Sequence, residues 1–270
     1  MKRARFLADG RLHEGEWREA EGVLLDEAGR AHRPNDVVWL PPVEPRQVIG
    51  LALNYADHAE ELGLETPPEP VLFLKPITSL VGHRAPVVYP KGVAHMHYEV
   101  ELAVVIGHRG RDIPVERALD YVFGYTILND VTARDLQRRH EQWFKGKTLD
   151  TFAPMGPAVV HRSLVPDPQA LRLRTRVNGQ VRQDSTTAHM VFSVAQLISV
   201  LSAGLTLEPG DILATGTPEG VAMGMTPPAW LRPGDVVEVE IEGIGVLRNP
   251  IVAPPARGRR TASWRDTFFT

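Results

Sequence analysis

Two glutamates placed two residues apart, Glu99 and Glu101, open a β-branched run that continues to Ile106. In a strand, side chains at i and i+2 share a face, so these carboxylates point the same way while Val100, Leu102 and Val104 turn to the core. Their Cα atoms then stand about 7 Å apart. Repulsion between two acids in apolar surroundings raises the cost of ionising both, and a cation between them removes that cost. A third carboxylate, Asp130, follows the strand-like Phe123 to Asn129 and precedes a stretch that reads as helix. Three hard oxygen donors with no sulfur favour Mg²⁺, Mn²⁺ or Ca²⁺ over Zn²⁺. Each acid also has a plainer use, since Glu-x-Glu pairs are common on solvated edge strands and an acid opening a helix is an N-cap. His95 and His97 lie close enough in the chain to be further ligands.

The elements that must hold these groups are mostly strands. Strand patterns cover Val48 to Leu53, Val71 to Leu74, Val100 to Ile106, Val122 to Leu128, Leu171 to Val177, Asp211 to Thr215 and Val236 to Ile241. Asn178-Gly179 is a strong hairpin signal, because a type I′ turn needs two residues that tolerate positive φ. Helices are expected over Tyr55 to Leu62, Val115 to Tyr121, Thr132 to Gln142 and Ser193 to Ala203, the last with Ser193 as N-cap and Gly204 as stop. With no βαβ rhythm and no repeat, the fold class is α+β, mostly β, around curled and largely antiparallel sheets. Residues 1–45 read as a small β-rich segment closed by prolines, 46–252 as the main domain, and 253–270 as a loose Pro/Arg-rich tail without a functional pattern.

Composition narrows the partners. The 270 residues are 43% hydrophobic, enough for a large core, and carry a net charge of -3 with a pI near 6.4. That balance offers no basic field for nucleic acid or an acidic membrane surface, and points to a small molecule. The absence of cysteine excludes disulfides, thiolate nucleophiles and thiolate-bound zinc. Asp9 interrupts the basic start before an apolar stretch of signal-peptide length, no later run suits a membrane span, and the expected location is the cytoplasm.

Several segments in one order resemble the fumarylacetoacetate hydrolase superfamily. They are Asn54-Tyr55-Ala56-Asp57-His58 with Glu61, Phe73-Leu74-Lys75-Pro76, Tyr98-Glu99-Val100-Glu101-Leu102, Asn129 to Asp135, Gly146-Lys147, Val177-Asn178-Gly179, and Thr215-Gly216-Thr217-Pro218-Glu219-Gly220-Val221. The resemblance implies a rolled mixed β-sheet, a homodimer, and Glu99, Glu101 and Asp130 as ligands of Mg²⁺ or Mn²⁺. It also implies that a 2-oxo acid substrate chelates the ion and reacts through an enolate. His58 and Glu61, three apart in a short helix, share a face; the resemblance makes them a catalytic dyad on a lid segment. Lys147 matches an active-site lysine, and Thr217 a residue that binds the substrate carboxylate. Arg134 and Gln137 stand three apart, where both could face that carboxylate, for which the planar fork of arginine is suited. Lys75 and Phe73 match positions that line the pocket.

Local wording divides between branches of the superfamily. Met96-His97-Tyr98-Glu99, Pro166-Asp167-Pro168, Leu171 to Thr175 and Phe192-Ser193 resemble the branch that isomerises or decarboxylates 2-hydroxyhepta-2,4-diene-1,7-dioate in aromatic catabolism. Gln142 to Phe152 instead resembles the acylpyruvate hydrolase and oxaloacetate decarboxylase branch. The isomerase or decarboxylase is therefore the expected activity, with an acylpyruvate hydrolase or oxaloacetate decarboxylase as alternative and a non-catalytic binding protein of the same fold as the third.

Overall fold

The computed structural model describes residues 1–254. The chain opens with five short strands, β1 (Lys2–Ala8), β2 (Arg11–Arg18), β3 (Val23–Leu25), β4 (Ala31–His32) and β5 (Val38–Trp39). There follow β6 (Val48–Ala52), helix α1 (Ala56–Glu61), β7 (Val71–Lys75), β8 (Leu80–Val81), β9 (Val87–Val88), β10 (Met96–His97), β11 (Val100–Ile106) and β12 (Val122–Asn129). The remainder is β13 (Thr132–Ala133), α2 (Arg134–Arg139), α3 (Phe144–Lys147), β14 (Ala153–His161), β15 (Arg172–Val177), β16 (Gln180–Thr186), α4 (Val194–Ser202), β17 (Ile212–Ala214), β18 (Val236–Ile241) and β19 (Gly245–Val252). None of the described helices is long and apolar enough to cross a membrane.

A 12-stranded sheet runs β4-β3-β2-β1-β14-β12-β11-β17-β6-β7, with β5 added on β1 and β8 on β14. Most pairs are antiparallel, but β17 with β6 and β14 with β8 are parallel, so the sheet is mixed. A five-stranded sheet, β16-β15-β18-β19-β9, covers one of its faces. Val100, Leu102, Val104 and Ile106 of β11 join Leu173, Val237, Val239 and Ile241 in the core between the sheets. On the opposite face Ala103 and Val105 pack with Leu128, Met155 and Ile212 in a second core. β11 is thus apolar on both sides, and Glu101, on the second face, is fully buried. The N-terminal strands add a third cluster around Phe6, Leu24 and Trp39, continuous with the sheet through the β1 and β14 pairing.

Local signals account for several elements. Asn178 and Gly179 adopt φ of 51° and 80°, the turn expected between β15 and β16. Ser193 caps α4 through a full capping box with Gln196, and Gly204 follows at φ 75°. Other boundaries differ. The helix expected over Thr132 to Gln142 is only Arg134–Arg139, because Thr132 and Ala133 pair as a strand with Met96 and His97. Ala133 is its N-cap, so Asp130 does not open a helix. Strand β14 is hidden in the sequence by Pro154 and Pro157, which lack the donor a ladder needs. Its pairing with β12 shifts register between Tyr125 and Ile127, a bulge that takes up Pro157. The expected tail lies outside the described residues from position 255 onward.

Candidate active site

Strand register assembles the acids. Val100 pairs with Asn129 across β11 and β12, which places Glu99 and Asp130 side by side at the mouth of the two strands. The Asp130 N–H donates to the Glu99 carbonyl at 2.9 Å, and the Glu99 N–H to the Asn129 side chain at 3.0 Å. Glu101, two residues into the strand, joins them, and one oxygen from each acid lies within 4.8 Å of the others. All three are buried.

Two lysines close the site from below. Lys147, at the end of α3, donates to Glu99 Oε2 at 2.7 Å and to Asp130 Oδ2 at 2.6 Å. Lys75, the last residue of β7, reaches Asp130 Oδ1 at 2.5 Å and also donates to the Lys147 carbonyl. Burial pushes the Lys147 ammonium down, but Asp130 and Glu99 outweigh it and hold Lys147 above its ordinary pKa. For Lys75, burial prevails over Asp130, and its pKa is lowered.

Glu101 has a different set of neighbours. Oε2 accepts the Gly216 N–H at 3.0 Å, whereas Oε1 is buried and has no hydrogen-bond partner among the described residues. Gly216 reaches that carboxylate at φ 87°, where an added Cβ would meet the Asn54 Cβ at 3.0 Å. Burial, then the charges of Asp130 and Glu99, push the Glu101 carboxyl well above the usual carboxylate range. A buried acid with an orphaned oxygen, beside two more acids, is a donor set that a hard divalent cation completes. The residues therefore fit Mg²⁺ or Mn²⁺.

Around this base lies a cleft of about 220 Å³, walled on its polar side by His58, Glu99, Arg134, Gln137, Arg138, Lys147 and Thr217. Leu51, Leu53, Leu62, Leu64, Trp143 and Met223 supply apolar wall. Leu53 holds φ 53° where the chain leaves β6 for α1, an uncommon conformation for leucine. On α1, His58 Nδ1 stands 3.0 Å from Glu61 Oε2, and Glu61 Oε1 accepts the Gly220 N–H at 2.9 Å. Asp57 fastens the same helix by bonds to Ser185 at 2.5 Å and His189 at 2.9 Å. Asn54 holds the entry to α1 against Thr215 and Phe192.

Arg134 lines the cleft, but its nitrogens are engaged: with His97 at 3.0 Å, Gln137 at 2.6 Å and Glu99 at 3.2 Å. His97 is buried beside Arg134 and Lys147, which, after burial itself, hold it well below the usual imidazole pKa and hence neutral. It supports Arg134 and stands 3.7 Å from Glu99, so it orients this corner from outside the three-acid cluster. His95 packs its ring on Trp230 at 4.8 Å. Thr217 accepts from Gln183 at 2.8 Å. Lys75 and Phe73 stand behind the cleft: Lys75 is under Asp130, and the Phe73 ring lies 5.3 Å from the Lys147 ammonium.

Some residues of this site were not singled out from the sequence. Gln183 is fully buried and holds the Val100 N–H, Thr175, Thr217 and the Pro218 carbonyl, a role no local pattern reveals. Arg138 is different, because it stands four residues after Arg134 on the same helix and helical spacing puts both on one face.

Known proteins are similar to this chain in sequence and fold. Residues 47–252 match the family described as Fumarylacetoacetate (FAA) hydrolase C-terminal. Oxaloacetate tautomerase YisK of Bacillus subtilis is 50% identical over 213 residues, 78% of this chain and 71% of that protein. The crystal structure of 5-carboxymethyl-2-hydroxymuconate delta-isomerase from Mycobacterium smegmatis superposes with a TM-score of 0.83 at 40% identity, covering 95% of this chain and 100% of the other. Fumarylpyruvate hydrolase from Pseudomonas aeruginosa, solved with Mn²⁺ and pyruvate, gives 0.72 at 36% identity over 80% of this chain and 91% of that one. With the fold, the family match and these relatives in agreement, the chain belongs to the fumarylacetoacetate hydrolase family.

Proposed function

We propose that the chain is a metal-dependent enolising enzyme for 2-oxo dicarboxylic acids, acting as a tautomerase or double-bond isomerase of the 2-hydroxyhepta-2,4-diene-1,7-dioate type. The observation that carries this reading is the convergence of Glu99, Glu101 and Asp130, with one buried oxygen unpartnered among the described residues, at a point where Glu99 lines a cleft walled by His58 and arginine. A divalent ion on those acids would supply a Lewis acid for the charge that develops on the 2-oxo oxygen.

The chain's own residues do the rest. Glu61 holds His58 Nδ1, which fixes the imidazole and leaves Nε2 to take the proton from C3 and return it to oxygen or to the far end of the conjugated system. Lys147 keeps Glu99 and Asp130 in place as the local charge changes. Gln137 and Thr217 offer polar groups to the substrate carboxylate, and Leu53, Leu62 and Trp143 exclude water from the reacting carbons. Three acids already face three cations, Lys75, Lys147 and Arg134. An added divalent ion therefore leaves positive charge in excess, which suits an anion that offers two oxygens.

Arg138 suggests where a second carboxylate goes. Its guanidinium lies at the cleft with the Met223 sulfur at 3.0 Å, a weak acceptor, and no carboxylate pairs with it among the described residues. Arg138→Ala should raise KM for a dicarboxylic 2-oxo acid about 10- to 100-fold and leave pyruvate-sized substrates unchanged. Equal loss for mono- and dicarboxylic substrates in steady-state assays would place Arg138 outside recognition.

Hydrolysis of an acylpyruvate is the second reading, favoured by the likeness to fumarylpyruvate hydrolase. Proton NMR of a substrate panel separates the readings. Solvent deuterium entering C3 without new products marks tautomerisation, released pyruvate plus a free acid marks hydrolysis, and lost CO₂ marks decarboxylation. All turnover should stop after chelation and return with Mg²⁺ or Mn²⁺; turnover unaffected by thorough chelation would remove the metal from the proposal. A homodimer is part of the same proposal, on the resemblance.

A further inference from the structure

We propose that His13, Asp26 and His32 form a second metal site, for a borderline transition ion such as Zn²⁺, in the N-terminal sheet and outside the residues matched to the family. One nitrogen or oxygen from each of the three lies within 4.8 Å of the others. Two imidazoles and one carboxylate form a donor set that prefers Zn²⁺, Co²⁺ or Ni²⁺, whereas the all-oxygen cluster in the cleft prefers Mg²⁺ or Mn²⁺.

The fold builds this cluster from three separate elements. His13 sits on β2 opposite Phe6 of β1, and His32 sits on β4 opposite Leu24 of β3. Both rings pack on Phe6 at 5.3 Å and stand 5.4 Å from each other. Asp26 occupies the turn between β3 and β4, where the Ala28 and Arg30 N–H groups donate to Oδ1 at 3.0 and 2.8 Å. Those bonds turn Oδ2 toward His32 Nε2, 2.9 Å away.

His13 supplies the observation that a hydrogen-bonded surface cluster leaves unexplained. Its Nδ1 is 3.1 Å from the Glu27 carboxylate, while its Nε2 is buried and has no hydrogen-bond partner among the described residues. A carboxylate on one ring nitrogen fixes the tautomer and leaves the other nitrogen as a lone-pair donor, the arrangement that supports metal-bound histidine. A metal ion here replaces the hydrogen shared by His32 and Asp26 and gives His13 Nε2 its missing partner. Arg30 is the one cation recorded against the cluster among the described residues, with Nε 3.4 Å from His32 Nε2 and 3.5 Å from Asp26 Oδ2. Its side chain is 55% exposed and its head is held 2.5 Å from Asp9, so it can withdraw toward solvent.

The test uses the full chain, stripped with chelator and then kept in excess Mg²⁺ so that the cleft acids are occupied by a hard ion. The expected result is one further equivalent of Zn²⁺ retained per chain by elemental analysis, and visible Co²⁺ bands characteristic of nitrogen ligation. Asp26→Asn keeps an acceptor for the turn, puts an amide donor in place of the anionic oxygen that faces His32, and should weaken Zn²⁺ binding at least about tenfold. Arg30→Ala should tighten it, and Mg²⁺-dependent turnover should be unchanged in both. Absence of an extra Zn²⁺ equivalent in the wild type, or equal Zn²⁺ affinity in Asp26→Asn and His13→Phe, overturns the proposal.

Discussion

Replacing Glu101 by alanine should weaken Mg²⁺ or Mn²⁺ binding at least about 100-fold and abolish turnover, while the chain stays folded. The expectation follows from the environment of that side chain. Among the described residues its Oε1 bonds to no protein group and its Oε2 accepts one backbone N–H, from Gly216. Little of the fold therefore depends on it. Removing it also relieves the crowding with Glu99 and Asp130 that, together with burial, raises its own pKa. Thermal unfolding without metal should accordingly occur at the wild-type temperature or above it. Glu99 and Asp130 are unlike it, because each holds lysine or arginine and their loss strands buried cations. Titration calorimetry of the Glu101→Ala protein checks the point, and wild-type metal affinity would show that the three acids do not act as one chelate.

Replacing His58 by glutamine should leave metal affinity at the wild-type value and slow enolisation by about 10²- to 10⁴-fold. His58 touches none of the three acids by hydrogen bond; its recorded partner is Glu61, 3.0 Å away. The separation of roles is the informative feature, since metal loss and base loss give opposite results in calorimetry. Exchange of the C3 proton of a 2-oxo acid with deuterated solvent reads the step directly. Exchange at the wild-type rate in the glutamine variant would remove His58 from proton transfer. Glu61→Gln should slow the reaction less, because the amide oxygen can still accept from one of the two groups that Glu61 holds, the His58 imidazole or the Gly220 N–H.

Local geometry made much of this legible. The strand around Glu101, the Asn178-Gly179 turn, the cap at Ser193 and the short helix that pairs His58 with Glu61 all depend on residues within one turn or one pleat of each other. The boundary at Thr132 was not legible. Its sequence continues smoothly into a helix, yet Thr132 donates to Glu99 at 3.2 Å and pairs with His97, and those partners come from distant chain. Strand β14 stayed hidden for a related reason, since only its position between β1 and β12 offsets two prolines. Helical spacing revealed Arg134 and Gln137, but only the packed site shows that Arg134 is already paired with Glu99 whereas Arg138, among the described residues, meets the Met223 sulfur and no carboxylate.

By itself the sequence determined which residue types could meet a metal, that sulfur could not be among the ligands, and that Glu99 and Glu101 share one face of a strand. Backbone periodicity is a local property and can be counted along the chain. Only the tertiary structure decided that Asp130 lies beside Glu99 and Glu101, that both faces of the strand are buried, and that Lys75 and Lys147 pair with the acids from below. It alone brought His13, Asp26 and His32 together. Convergence of that kind is fixed by cross-strand register and by the burial that removes competing water, and neither is written in any single stretch of residues.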